Sequence, residues 1–248
     1  MTVRLITEGE YDEAMHHALD EVLLSRVDAG EIEPTVRFWY RTGPAVPLGR
    51  FQAYEDEVAT DYIEAEAIDV IRRITGGGAM FAEPGDIITY SMYLPADMVP
   101  RDVRESYEVL DEWVIDGLHR LSFDAFHEPL NDISHEDGKI GGSAQLRADD
   151  AVLHHTTMSY SVDIARMLKA LRIGKEKVSD KAVKSAEKRV ARITDYVPDS
   201  RDAVIDSLIE ALDAEYGTTT GTFEQETLDR AEELAESKFQ TDDWNKRL

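Results

Sequence analysis

A β-branched run that ends in two arginines and opens into three glycines constrains this chain more than any other stretch. Ile68 to Ile74, with Val70 and Ile71, reads as a strand closed by Arg72-Arg73, and Gly76-Gly77-Gly78 follows. Three glycines remove every side chain from the turn. Successive backbone N–H groups can then converge on an anion, and a ligand can approach the main chain closely. With two guanidinium groups beside it, Arg72–Phe81 reads as a phosphate or carboxylate pocket. The competing reading is a glycine-rich hairpin turn carrying two surface arginines.

Around this turn the pattern predicts strands first and helices last. Tyr11 to Gly30 is helical, with Met15, Leu19, Val22 and Leu23 at helical spacing and His16-His17 on different faces. Strands follow at Thr35–Arg41 and Ala45–Leu48, and a short helix at Asp61–Ala67. Beyond the glycines, Ala79 to Ala82 starts a strand, and Ile87 to Leu94 is another. Val103, Tyr107, Leu110, Val114, Leu118 and Leu121 mark an amphipathic helix. Phe123 to Phe126 is extended. Strands at Asp132-Ile133, Lys139 through Arg147 and Val152–Val162 are joined by acidic turns. Helices are expected at Ile164–Leu171, Asp180–Glu187, Asp199–Tyr216 and Glu224–Leu234, with Thr218–Thr222 as a polar link and Phe239 and Trp244 as apolar anchors. The class is α+β, in a single domain spanning residues 1–248 with its helical part, about 164–248, packed on the rest.

Composition narrows the function. The formal net charge is −24, spread along all 248 residues, which fits a folded protein in concentrated salt and disfavours nucleic acid as a partner. A nucleic-acid mimic and an ordinary acidic enzyme are the alternatives. No apolar run approaches the ~20 residues that cross a bilayer, and Met1 to Glu10 has no apolar block of a signal peptide. A cytoplasmic protein without membrane contact is expected. Cysteine is absent, which removes disulfides, thiolate metal sites and any cysteine nucleophile.

Lys139 is a candidate by position, because no lysine precedes it and Gly138 and Gly141-Gly142 flank it. A compact ammonium there suits an anionic ligand or a developing charge, whereas a solvated hairpin lysine is the plainer reading. Asn131-Asp132 is either a turn or a support that holds Lys139 as a charged donor; Asp132 is also a Mg²⁺ candidate. His154-His155 places one ring inward and one outward, and no metal is assigned. From Arg166 to Arg192 the local charge is basic, through Lys169, Arg172, Lys175, Lys177, Lys181, Lys184, Lys188 and Arg189, a solvated face or a docking surface for an acidic partner. P-loop, Rossmann, GxSxG and HExxH motifs are all missing.

Taken in order, these segments resemble one family. RRITGGGAMF is similar to the Arg-Arg-x-x-Gly-Gly-Gly-Ala-Val-Phe/Tyr motif of lipoate–protein ligases. NDISHEDGKIGGSAQLR resembles their Asn-Asp…Lys-(Ile/Val)-x-Gly-x-Ala segment, LHHTTMSYSVD their His-Gly-Thr-Leu-Leu…Asp segment, and GRFQ their Gly-Arg-x-Gln element. SAEKRVARITDY resembles a Ser-Val-Arg-Ser-Arg-Val-x-Asn-Leu stretch, and Trp244 has a counterpart. The resemblance covers most of the chain.

The resemblance implies a central mixed sheet flanked by helices, the biotin/lipoate protein ligase catalytic fold. It also implies activation of lipoate by Mg·ATP and transfer of the lipoyl group to a lysine of an acceptor lipoyl domain, of the 2-oxoacid dehydrogenase E2 or glycine-cleavage H protein type. Carried over, Arg73, Gly76, Gly77, Gly78, Ala79, Met80 and Phe81 line the adenylate pocket. Lys139 bridges lipoate carboxylate and α-phosphate, and Asn131 and Asp132 support Lys139 or the metal–phosphate end. The chain ends near Trp244, where relatives continue into a small accessory domain, so a separate small partner subunit is expected. Ala82-Glu83 replaces a frequent His-Asp, and Thr156 replaces a Gly, expected to close room for a ligand. An octanoyl- or lipoyl-transferase of this fold would need a cysteine. A biotin ligase would need a Gly-Arg-Gly-Arg-x-Gly-Arg loop, which is missing. A non-catalytic lipoate- or nucleotide-binding subunit stays open.

Overall fold

The computed structural model describes residues 2–172 and 189–248. In chain order its strands are β1 (Val3–Ile6), β2 (Glu10–Tyr11), β3 (Thr35–Phe38), β4 (Tyr40–Arg41), β5 (Ala45–Leu48), β6 (Asp69–Arg72), β7 (Ile87–Pro95), β8 (Phe126–Glu128), β9 (Asp132–His135), β10 (Gly138–Arg147), β11 (Ala151–Ser159) and β12 (Thr218–Thr220). The helices used below are α1 (Glu13–Asp28), α2 (Tyr54–Glu57), α3 (Thr60–Ala65), α4 (Val103–Arg120), α5 (Ile164–Ala170), α6 (Arg201–Tyr216), α7 (Gln225–Leu234) and α8 (Asp242–Asn245).

Eight strands form the central sheet in the order β12-β1-β3-β7-β11-β10-β9-β8. Pairing is parallel from β12 through β1 to β3 and antiparallel from β3 onward. This is the mixed sheet with flanking helices that the family resemblance implies. Both faces are covered, because successive residues of a strand point to opposite sides and both sets need a cover. Ile88, Tyr90, Met92 and Leu94 of β7 pack with Trp113, Val114 and Leu118 of α4 and Val204, Leu208 and Leu212 of α6. Tyr93 of β7 and Leu153 of β11 join Leu19 and Leu23 of α1 and Ala231 of α7 on the other face. A smaller layer, β5 paired in parallel with β6, carries the arginine–glycine turn, and its core joins Phe81, Val162 and Leu171.

Helix α4 follows its apolar spacing. It is capped by Asp102, whose carboxylate accepts from the N–H groups of Arg104 and Glu105 at 3.0 Å. Helix α1 differs from its pattern: thirteen of its residues are buried, including Glu13, His16, His17, Asp20 and Arg26. A helix buried all round carries polar side chains only where partners meet them, and these define the site below.

Several expectations are corrected. The acidic N-terminus contains the fully buried strand β1, and the Thr218–Thr222 link contains β12, which pairs with it. Neither is long enough to show a period by itself. Thr35–Arg41 is two strands separated at Trp39. Ala79–Ala82 is not a strand: only Ala82 bridges to Ala45, in both directions, at 2.8 and 2.9 Å. The extended piece expected at Phe123–Phe126 is instead β8, Phe126–Glu128. The helix expected over Asp180–Glu187, and most of the basic segment from Lys175 to Lys188, lie outside the described residues.

Candidate active site

The glycine turn is held from beneath by arginines that are buried, not on the surface. Arg73 points Nε and Nη2 at the Gly76 carbonyl (3.0 and 2.7 Å), Nη2 at the Gly78 carbonyl (2.8 Å) and Nη1 at the Pro47 carbonyl (3.2 Å). Burial lowers its pKa to about 10, so it stays charged at neutral pH. Its charge sits under the turn while its N–H groups shape it. Arg72 donates to the carbonyls of Gly49, Gln52, Trp244 and Asn245, at 3.1, 2.6, 3.1 and 2.8 Å. The Gly49–Gln52 turn and the C-terminal helix α8 are thereby fastened to β6. A Cβ built on Gly49 would stand 1.9 Å from the Gly77 carbonyl oxygen, so these two turns touch through bare backbone. Gly77 itself has φ +95°, a conformation that favours glycine.

A cavity of about 330 Å³ opens between this turn, α1 and the α1 face of the sheet. Its floor follows from strand register. Thr89 of β7 lies opposite Thr157 of β11, which lies opposite Gly142 of β10; His155 lies opposite Ala144. Arg73, Gly77, Gly78, Ala79, Met80, Phe81, Asn131 and Lys139 all line it. Gly76 and Asp132 stand outside the wall: the Gly76 carbonyl serves Arg73, and Asp132 meets the cavity through Lys139. Lys139 Nζ lies 2.6 Å from Asp132 Oδ1, and the two side chains are 47% and 32% exposed, marking the mouth. A Cβ on Gly142 would come within 2.9 Å of Lys139 Nζ, so the glycine leaves the ammonium its place. Asn131 does not reach Lys139; it clamps Ser143, donating from Nδ2 to the Ser143 carbonyl at 2.6 Å and accepting the Ser143 N–H at 2.8 Å.

Sequence reasoning missed the polar wall of the cavity. Glu13 and His17 of α1, together with Trp39, Arg41 and Thr89, line it. The Glu13 carboxylate accepts from Arg41 Nε at 2.6 Å and from His17 Nε2 at 3.1 Å. Burial works against its ionisation, but the Arg41 charge and the His17 bond outweigh that and hold it well below the usual carboxylate range. The guanidinium carbons of Arg37 and Arg41 stand 4.5 and 4.8 Å from the Trp39 ring. Arg37, Trp39 and Arg41 alternate in sequence, and that spacing of two was the available signal. Nothing local announced that Glu13 would meet Arg41.

Asp20 is the second buried carboxylate of α1. It accepts from Arg37 (2.8 Å), Ser91 (2.9 Å), the Tyr93 hydroxyl and His155 Nδ1 (2.9 Å), and His155 Nε2 bonds Thr75 Oγ1 at 2.8 Å. This chain ties the arginine–glycine turn to the sheet. Burial pulls His155 down to about 4 despite Asp20. His154 points to the opposite face, where Asp111 binds it at 2.9 Å, so both rings are buried rather than one facing out. Thr156 shares that far face, bonding Asp111 at 2.9 Å and Ser143 at 2.8 Å, and so takes no room from the cavity. Ala82 is buried against Ala45, and Glu83 pairs with Arg166 of α5. No group of three or more His, Asp or Glu side chains converges to hold a metal among the described residues.

Comparison with known proteins places the whole chain beside one family. A family model described as lipoyl protein ligase A/B catalytic domain matches residues 12–216. Lipoate-protein ligase A subunit 1 of Thermoplasma acidophilum is 33% identical over 258 residues, covering 98% of this chain and 96% of that protein. Octanoyltransferase LipM of Geobacillus kaustophilus is 26% identical over 273 residues, covering 98% and 97%. Among solved structures, a bi-partite lipoate protein ligase studied with its E2 lipoyl domain, from T. acidophilum, superposes with a TM-score of 0.88 at 30% identity, covering 99% and 96%. A crystal structure of lipoate-protein ligase A bound with ATP gives 0.87 at 27% identity, with 99% of each chain covered. The chain therefore belongs to the lipoyl protein ligase A/B catalytic domain family.

Proposed function

We propose that this protein is an ATP-dependent lipoate–protein ligase. The observation that carries the reading is Lys139: a half-exposed ammonium at the mouth of a cavity that the backbone of Gly77 and Gly78 also lines. Activation joins two anions, so a cation must offset their repulsion as they are brought together. An oxygen of the lipoate carboxylate attacks the α-phosphorus of ATP, and pyrophosphate leaves. The amine of an acceptor lysine then attacks the carbonyl carbon of lipoyl-AMP; an amide forms and AMP departs. Lys139 would bridge carboxylate and α-phosphate in the first step and offset charge on the departing AMP in the second. Asp132 would hold its side chain in place, and Gly77–Phe81 would admit the adenylate. Arg73 would act by shaping the turn.

Magnesium would be held mainly by the ATP phosphates, because Asp132 is a single carboxylate already paired with Lys139. The alternative chemistry of the LipM relative, acyl transfer through a thiolate, has no nucleophile here, since the sequence contains no cysteine. The acceptor would be an E2-type or H-protein lipoyl domain. The relatives named subunit 1 and bi-partite ligase support a separate small subunit as partner. A cytoplasm of concentrated salt is the setting proposed by the charge of −24.

Lipoate-dependent ATP–pyrophosphate exchange in high KCl, with and without the small partner, tests this. Exchange that appears with lipoate, and is lost in Lys139→Ala, supports the reading. No exchange under any of these conditions leaves a binding subunit instead, and unchanged exchange in Lys139→Ala removes the role given to Lys139.

A further inference from the structure

Lys139 and the glycine turn line one cavity but belong to different layers. Lys139 stands on β10 of the central sheet, whereas the turn follows β6 of the smaller β5–β6 layer. A lysine is a point charge on a flexible four-carbon stem, so its ammonium is well placed only if its backbone is fixed relative to the turn.

The regular sheet does not fix it. β10 pairs with β11 only from Gly141 onward, and its register with β9 shifts between Lys139 and Gly141. By this level β11 has left the sheet: Tyr160 and Ser161 donate their N–H groups to the Asp86 carbonyl, at 3.0 and 2.9 Å. Residues 189–191 take its place and bridge to Lys139 in parallel. The Lys139 N–H donates to the Arg189 carbonyl at 3.0 Å, and the Lys139 carbonyl accepts from the Ala191 N–H at 2.9 Å. So close an approach requires a glycine before the lysine. Gly138 has φ +148°, and a Cβ there would stand 2.8 Å from the Arg189 carbonyl carbon.

The same segment is anchored on every side. Val190 packs against the core of the smaller layer, with Phe81, Val162 and Leu171, and lines the cavity. Ala191 and Ile193 are buried in the core beneath α4. Thr194 donates its N–H and its hydroxyl to the Tyr160 carbonyl, both at 3.0 Å, and the Tyr196 hydroxyl donates to Asp137 Oδ2 at 2.6 Å. Residues 189–196 thus tie the β9–β10 hairpin, the end of β11 and the glycine-turn layer together beside Lys139. We propose that residues 189–191 are a strap that sets where Lys139 stands relative to the glycine turn, and that Gly138 is a positioning residue acting through Lys139. This role rests on the ligase reading, which puts the acyl carboxylate at Lys139.

A double-mutant cycle read by calorimetric titration of the whole chain with lipoate, without ATP, tests it. Lys139→Ala should weaken lipoate binding about tenfold, the worth of one charge-assisted hydrogen bond, and Gly138→Ala at least about fivefold. In the Lys139→Ala background, Gly138→Ala should cost less than about twofold, because the group it positions is gone. Gly138→Ala should also raise amide hydrogen exchange at Lys139 and Ala191. Equal weakening in both backgrounds would make Gly138 merely structural and overturn the proposal, as would unchanged affinity, unchanged amide protection or no lipoate binding by the unaltered protein. If Gly138→Ala fails to fold, Tyr196→Ala decides, at an exposed position outside the cavity wall. It should weaken lipoate about threefold and lose that effect in Lys139→Ala; an equal effect in both backgrounds, or none, overturns the proposal. The non-additive pattern without pyrophosphate exchange would keep the strap and remove the adenylation reading; pyrophosphate exchange with additive effects would do the reverse.

Discussion

Replacing Gly49 by alanine is the sharpest test of how the glycine turn is held. The added Cβ would lie 1.9 Å from the Gly77 carbonyl oxygen and 2.9 Å from the Gly77 carbonyl carbon. Real contacts of this kind do not fall below about 3 Å, so the two turns must part by at least about 1 Å. Both sides are fixed. Moving the glycine turn strains Arg73's bonds to Gly76 and Gly78, and moving Gly49 strains its bonds to Arg72 (3.1 Å) and to Gln52 Oε1 (2.8 Å). Loss of one or two such buried bonds, one of them to a guanidinium, costs about 2–4 kcal/mol. A displacement of about 1 Å at a positioning wall lowers turnover on the order of 100-fold. Chemical denaturation and pyrophosphate exchange measure the two effects. Gly49→Ala with stability unchanged and exchange within about twofold would refute this view of the turn.

Three further perturbations separate the parts of the site. Gly78→Val should leave stability within about 0.5 kcal/mol, since no atom lies within 4 Å of its Cβ position, while weakening ligand binding at the cavity it lines; calorimetry and melting curves distinguish the two. Arg72→Lys should cost about 3 kcal/mol and raise hydrogen exchange over residues 239–248, because one ammonium cannot span the Gly49–Gln52 turn and α8; unaltered exchange there would contradict the clamp. His155, pulled from 6.5 to about 4 in the fold, makes stability depend on pH. Between those values the unfolded chain takes up a proton that the folded chain refuses, so this contribution is whole above pH 6.5 and is lost as pH falls toward 4. It amounts to roughly 3 kcal/mol. His155→Gln should flatten the stability profile in that window, and an identical slope would count against the buried neutral ring.

What the sequence could reveal follows from the range of the interactions involved. The amphipathic helix α4 and the strand β7, buried from Ile87 to Leu94, were legible because a helical period and a continuous β-prone run are both local signals. Lys139 and the glycine turn stood out because residue type and spacing carried the chemistry directly. The edge strand β12 and its neighbour β1 stayed hidden, since Val3–Ile6 pairs with Thr218–Thr220 across most of the chain and neither is long enough to show a period. The polar wall was hidden for the same reason. Glu13 carried no signal of its own and His17 was read only as lying on a different face from His16; only the fold brings Arg41 of β4 to them. Arg73 was legible as a cation at the turn but not as its scaffold, because its partners are backbone carbonyls that any sequence provides. Thr156 was misjudged for want of the sheet: register puts its side chain on the α4 face, with Asp111.

The proposed reaction activates lipoate with ATP and uses no protein nucleophile. Mass spectrometry of a purified E2-type lipoyl domain, incubated with the protein, its small partner, lipoate and ATP, tests it most directly. A lipoyl amide is expected on one acceptor lysine, strictly dependent on ATP, accompanied by AMP, with no acyl group left on the protein itself and no product from Lys139→Ala. Acceptor modification that proceeds without ATP from an octanoyl or lipoyl thioester, or an acylated residue on this chain, would contradict it.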